Sequence, residues 1–298
     1  MPRVSDKTKL KQKRCEGEGL DYIPWIRANE TSSTGSSYIA KNYKSGRDVH
    51  LLSTQEAKVF FILLYADEVT DIKEQYVLDI KECRHIAEDL GYRKPSYHMS
   101  TDFYLKIKDP IYNYMAVSVK KNKETLSKRE KEKLEIEKAY WERRGVLYKL
   151  VFGDDIDSTV VKNIRTFTRI NKPEDIENDI MAIKYLLTIK DIETNLEKEI
   201  NYQVLLIENK DKVGDLYEIL RTNEKRKWRN HREIQLRNLR WNSKSRSSLL
   251  PLRQRLFHSR NRWRLSNLLL RKRNNNPRNK EYDLWWNNRI HRKESDKP

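Results

Sequence analysis

Two seven-residue runs, 102–108 and 114–120, alternate in polarity along their whole length. In the first, Asp102, Tyr104, Lys106 and Lys108 share one side, opposite Phe103, Leu105 and Ile107. In the second, Ala116, Ser118 and Lys120 oppose Met115, Val117 and Val119. A period of two marks a strand with one face against a core. The Asp109-Pro110 step between the runs initiates a turn, so this part of the chain is constrained to a β hairpin. A turn centred on Ile111 sets Asp102 directly opposite Lys120, at the separation of cross-strand neighbours. Taken alone, that pair reads first as a surface ion pair.

Around the hairpin, helical and strand patterns alternate. Ser53-Thr54-Gln55-Glu56 opens a helix whose buried face carries Ala57, Phe60, Phe61 and Leu64. The segment 69–78 alternates as a strand with Ile72, Glu74, Tyr76 and Leu78 inward, which sets a carboxylate among apolar neighbours. A short helix follows and ends at Gly91, a residue suited to the helix C-terminus. Beyond the hairpin, Ser127 and Glu130 form a capping-box pattern, and the charged run 128–144 reads as the solvated face of a helix closed by Gly145. Residues 146–152 are an apolar strand and 158–170 a further helix. This order predicts an α/β fold, a mixed sheet flanked by helices, over residues 21–170. Residues 171–221 carry apolar positions at helical spacing, among them Ile180, Ile183, Leu187 and Leu196, and predict a small helical domain. Residues 1–20 are polar and basic and predict a flexible N-terminus.

Charge divides the chain. Residues 221–298 hold 24 Lys and Arg against 6 Asp and Glu, which leaves 38 of each in residues 1–220. The first part is neutral, and the overall +18 belongs to the last 78 residues. Residues 223–298 contain no Ala, Val, Gly, Met, Cys or Thr, yet hold five of the seven Trp. Ordinary domains use Ala, Val and Gly heavily. The tail 222–298 therefore reads as a stretch translated in a shifted frame, as a disordered basic arm with aromatics that stack on nucleic acid, or as an unusual folded segment. Cys15 and Cys83 are too few for a disulfide framework or a zinc site, and His50, His85 and His98 lack ligand spacing. The longest apolar run, Val59 to Ala66, falls far short of the roughly 20 residues of a spanning helix. No apolar segment follows the basic start. A soluble cytoplasmic chain without a membrane partner is expected.

The chemistry-bearing residues are acids and a lysine: Glu56 on its helix, Asp102 at the start of one strand and Lys120 at the end of its partner. Asp and Glu oxygens suit Mg²⁺, divalent metals serve phosphodiester hydrolysis, and a lysine on the same edge offsets charge developing in a transition state. Such a set is generic by itself, since any charged chain contains several. The succession DYIPW, SGRDVHLLS with Glu56 after it, DIKEQYVL, MSTDF, a V-x-V-K strand and KLEIEKAYWERRG is more specific, and it resembles the TnsA family over roughly residues 20–170. Members of that family are endonuclease subunits of heteromeric bacterial cut-and-paste transposases.

The resemblance implies a restriction-endonuclease-like catalytic domain followed by a winged-helix-like one. It carries catalytic roles onto Glu56, Asp102 and Lys120, and metal ligation onto Glu56, Asp102 and the main-chain carbonyl of Val119. Glu74, Gln75 and Ser118 are expected to support them. Where the family commonly has Gln, two residues before the lysine, this chain has Ser118, which is shorter. The implied function is Mg²⁺-dependent cleavage of the 5′ ends of a transposon, with Mn²⁺ as an alternative ion. The implied partners are transposon-end DNA, a DDE-type transposase and an ATP-dependent regulator. Two other functions remain open: a stand-alone restriction- or repair-type nuclease, and a non-catalytic assembly factor that binds DNA through the tail.

Overall fold

The computed structural model describes residues 4–30 and 36–222. The basic tail beyond residue 222, with every reading of it, lies outside the described residues. Six strands are arranged as a two-stranded ribbon, β1 (Tyr38–Lys41) and β2 (Asp48–Leu51), and a four-stranded mixed sheet. The sheet runs in the order β3 (Val69–Val77), β4 (Ser100–Ile107), β5 (Tyr114–Lys120), β6 (Leu147–Phe152). Its first two pairings are antiparallel and the last is parallel. The parallel step needs a crossover, which α4 (Lys128–Glu142) provides.

The pleat sorts the two faces. Phe103, Leu105, Met115, Val117 and Val119 pack against α2 (Thr54–Tyr65) and α5 (Ser158–Phe167) in the larger core. The opposite face, with Ala116 and Tyr148, packs with residues of α3 (Ile80–Asp89) and α4. The helix boundaries follow the local chemistry. Ser53 accepts the Glu56 amide at 3.1 Å, Asp79 the Glu82 amide at 2.9 Å, and Ser127 with Glu130 closes a reciprocal capping box. Gly91 and Gly145 follow α3 and α4 at φ +70° and +66°, a conformation a side chain would resist.

After α5 come α6 (Asp179–Thr188), α7 (Tyr202–Glu208) and helical residues 210–222. The larger core continues into them without a break through Ile183, Leu187, Leu196, Leu205 and Leu216. Tyr65 ties the two regions together, donating to the Leu187 carbonyl and stacking edge-on against Phe167. No strand forms among the described residues of 171–222, so the expected winged-helix-like unit has no wing there.

Two expectations are corrected. Phe103 pairs with Val117 and Leu105 with Met115, which centres the hairpin on Pro110 instead of Ile111. The cause is a six-residue loop, 108–113, in which the Asp109 side chain accepts the amides of Ile111 and Tyr112. A shift of two residues keeps every side chain on its face, but places Asp102 beside Ser118. Next, the N-terminal stretch is folded from α1 (Asp6–Lys11) onward. Cys15, Tyr22 and Trp25 are buried against Tyr76 and Val77, and Arg14 grips Glu30 with two 2.6 Å bonds. The charged helix α4 is amphipathic, with one solvated face and one buried face. Leu134, Ile136, Glu137, Tyr140 and Trp141 are buried.

Candidate active site at one end of the sheet

The C-terminal ends of β3 and β5, the start of β4 and the first turn of α2 converge at one end of the sheet. Asp102 lies on the α4 face, and Glu56 arrives from the α2 side around the sheet's end. Gln75 joins them. It lies opposite Asp102 in the β3–β4 register, yet its φ of +49° is a left-handed value unusual for a non-glycine residue. Its amide nitrogen sits 3.3 Å from Glu56 Oε2 and 3.4 Å from Asp102 Oδ1. The amide oxygen accepts from Ser100 Oγ at 3.1 Å, which fixes the orientation of the amide. The backbone of this turn is held from outside by the N-terminal segment. Trp25 N–H donates to the Gln75 carbonyl, Val77 N–H to Cys15 Sγ, and Tyr22 Oη to the Glu74 carbonyl.

Glu56 is buried, and its carboxylate accepts from the Leu52 amide at 2.8 Å and from Ser53 Oγ at 2.9 Å. Burial, then the charge of Asp102, push its carboxyl up to about 8 despite those donors. Asp102 Oδ2 accepts the Val119 amide at 2.6 Å and lies 4.0 Å from Lys120 Nζ. The lysine also donates to the Val119 carbonyl at 3.0 Å. The negative charge of Asp102 raises the Lys120 ammonium above its ordinary range, so it is cationic at neutral pH.

A residue absent from the sequence reading lies beneath this rim. Glu137 of α4 is fully enclosed and accepts from Thr101 Oγ1 at 2.5 Å and Ser118 Oγ at 2.6 Å. Trp141 Nε1 donates in turn to Thr101 Oγ1 at 2.7 Å. Burial raises the Glu137 carboxyl to about 7. The three- and four-residue spacings from Leu134 to Glu137 to Trp141 mark one helix face, and that was the available signal.

The structure thus brings Glu56, Asp102, Gln75, Val119 and Lys120 together, with Ser118 attached through Glu137. Glu74 is not joined to them. It points to the β1–β2 ribbon, where Arg47 clamps it at 2.9 and 2.5 Å and the His50 amide adds a 3.0 Å bond.

The comparisons with known proteins bear on the same residues. Residues 66–152 match the family model "TnsA-like endonuclease N terminal". Over this stretch the chain is similar to TnsA-like endonucleases. Asp102, Ser118, Val119, Lys120 and Glu137 all fall inside the TnsA-like match, while Glu56 precedes it. A curated relative, the Transposon Tn7 transposition protein TnsA of Escherichia coli, is 34% identical over 179 residues. That similarity covers 58% of this chain, which in turn spans 65% of the relative's length.

The donor set suits a hard divalent cation. Two carboxylates converge with a carbonyl beside them, one carboxylate is buried without a cationic partner within bonding distance among the described residues, and a neutral amide bridges the pair. No cluster of three or more His, Cys, Asp or Glu side chains forms among the described residues, so water would complete the shell. Mg²⁺ commonly binds in that way, with few protein ligands. No described helix is long and apolar enough to cross a membrane.

Proposed function

We propose that this chain is a Mg²⁺-dependent DNA endonuclease subunit of a transposition complex, with its site on a restriction-endonuclease-like sheet. The observation that carries the reading is the meeting of Glu56 and Asp102 across the Gln75 amide, with the Val119 carbonyl and the Lys120 ammonium on the same rim. Glu56, Asp102 and the Val119 carbonyl would hold the ion, Mn²⁺ substituting for Mg²⁺. The ion would supply a Lewis acid and a water nucleophile of lowered pKa for phosphodiester hydrolysis. Lys120 holds a positive charge where a non-bridging phosphate oxygen would lie, and stabilises charge as it develops there. Glu137 orders the strands under the site: its hydrogen bonds to Thr101 and Ser118 fix the residues preceding Asp102 and Val119.

The relative's name supports a role in transposition. On the family reading, the chain cleaves the 5′ ends of the element beside a DDE-type transposase acting at the 3′ ends, under an ATP-dependent regulator. A neutral first 220 residues accords with partners that bring the DNA to it, since non-specific DNA affinity is set by the phosphates a protein neutralises. The test is Asp102→Ala, assayed with the transposase and a transposon-end duplex in Mg²⁺. We expect loss of 5′ cleavage by roughly a thousandfold or more, with binding to the transposase retained. Undiminished cleavage would overturn the site, and efficient cutting of arbitrary duplex DNA without partners would make the chain a stand-alone nuclease.

A further inference from the structure

Beside the site, a groove of about 930 Å³ opens between the β1–β2 ribbon, the outer face of α2 and α5. Within the neutral part of the chain it gathers basic side chains. Lys58, Lys162, Arg165, Arg169 and Lys172 line it together with Lys41, against a single acid, Asp175. That acid is already engaged, accepting the amides of Asn171 and Lys172. Lys162, Arg165 and Arg169 recur at spacings of three and four and are exposed, so they project from one side of α5 and its continuation. Arg165 lies over the Phe61 ring at 5.9 Å, and Tyr38 adds a second aromatic wall. Arg169 and Lys172 have no acidic side-chain partner among the described residues.

The groove and the site are tied together through α2 and the turn after β6, although no carboxylate of the site lines the groove. Its lining includes Thr54, two residues before Glu56. Lys58 Nζ donates to the Gly153 carbonyl, and the Gln55 amide to Asp154 Oδ1, which ties α2 to the turn after β6. That same turn meets the end of β5, where the Asp154 amide donates to the Lys121 carbonyl, next to Lys120.

We infer that this groove seats the sugar–phosphate backbone of the DNA duplex flanking the scissile phosphate. The inference rests on the endonuclease reading and supplies its missing substrate track. Closely spaced cations with aromatic walls suit a chain of phosphates and sugars. The basic tail is the wrong occupant, because its 23 Lys and Arg against 6 acids would repel the groove.

The test is lysine acetylation of the full-length Asp102→Asn chain, read by mass spectrometry with and without a transposon-end duplex. Lys58, Lys162 and Lys172 are expected to lose reactivity several-fold on DNA addition. Lys94, ion-paired with Glu88 of α3 on the opposite face, should stay reactive. In the same chain, Arg165→Gln/Arg169→Gln/Lys172→Gln should lower the slope of log affinity against log salt by about 3, one per lost phosphate contact. If that variant fails to fold, the acetylation pattern of the parent chain still decides. Unchanged reactivity of the three groove lysines while tail lysines are protected overturns the groove. Protection by polyglutamate but not by the duplex overturns it too, assigning the surface to an acidic protein. Groove protection in a chain whose native form cleaves nothing with its partners would leave the groove standing and remove the nuclease. Cleavage without groove protection would do the reverse.

Discussion

Glu74 and Glu56 are both buried acids near the same end of the fold, and their surroundings could hardly differ more. Glu74 is fully enclosed and satisfied from within: two guanidinium bonds from Arg47 and one backbone amide, with Arg47 also donating to the Ile72 carbonyl. Among the described residues Glu56 meets only neutral donors, and burial, with repulsion from Asp102 added to it, keeps its carboxyl raised to about 8. A buried carboxylate with its own cation is a structural joint; here it staples the β1–β2 ribbon to β3. A buried carboxylate that faces another acid across an amide stores an unmet demand for positive charge. The difference teaches where to look for function: at the acid whose neighbours leave it unfinished.

The largest effect should come from breaking the finished joint. Arg47→Met leaves the Glu74 carboxylate buried without its cation, and such a broken pair costs about 3–5 kcal/mol. Urea unfolding should show that loss, and Arg47→Met/Glu74→Gln should recover a large part of it. If Arg47→Met is as stable as the parent chain, the contrast between the two acids collapses.

Much of this contrast was hidden from the sequence. The helix starts at Ser53 and Ser127 and the ends at Gly91 and Gly145 were legible, because capping chemistry is local. The strands were legible from their alternation, and Glu56, Asp102 and Lys120 became candidates through the family resemblance. The register was not: the hairpin centre moved from Ile111 to Pro110 because Asp109 caps a longer loop than a tight turn needs. Glu74 looked like a companion of the site because the residue that claims it, Arg47, is 27 positions away, in the turn that leads into β2. Glu137 was lost inside a run of charges, although Leu134, Tyr140 and Trp141 carried the buried spacing around it. The N-terminal segment looked free because Cys15, Tyr22 and Trp25 are buried only by contact with β3, which no local pattern announces.

The unfinished acid predicts a pH dependence with a defined sign. Glu56, at about 8 in the fold against an ordinary 4.5, takes up a proton on folding, as does Glu137 at about 7. Their contribution to stability in the absence of metal is therefore full below about pH 4.5 and lost as pH rises through 7 and then 8. Chemical unfolding from pH 5 to 9 should show that decline, at up to about 1.4 kcal/mol per pH unit for each proton. Glu56→Gln should remove the part of the decline that runs on to about pH 8 and leave the part, complete near pH 7, that belongs to Glu137. Mg²⁺ should reverse the decline in the parent chain, by about 2.7 kcal/mol at a hundredfold excess over its dissociation constant, and much less in Glu56→Gln. A parent chain whose metal-free stability rises between pH 6 and 8 would mean that Glu56 is ionised without cost.

The smallest effect concerns Ser118, whose hydroxyl lies two residues before Lys120 on β5. Its Oγ is spent on Glu137 and not on the Glu56–Asp102 pair, so it belongs on the finished side of the comparison. Ser118→Ala removes one hydrogen bond to a buried acid that keeps its second, from Thr101, and should cost about 1 kcal/mol. Because the lost bond favours the ionised form, the Glu137 step of the pH profile should also move upward. Isothermal titration with Mg²⁺ then separates the two roles of this position. A Kd unchanged within about twofold, little more than 0.4 kcal/mol, places Ser118 with Glu137 as support for the strands. A tenfold weakening would show that the hydroxyl reaches the ion's surroundings despite its contact with Glu137.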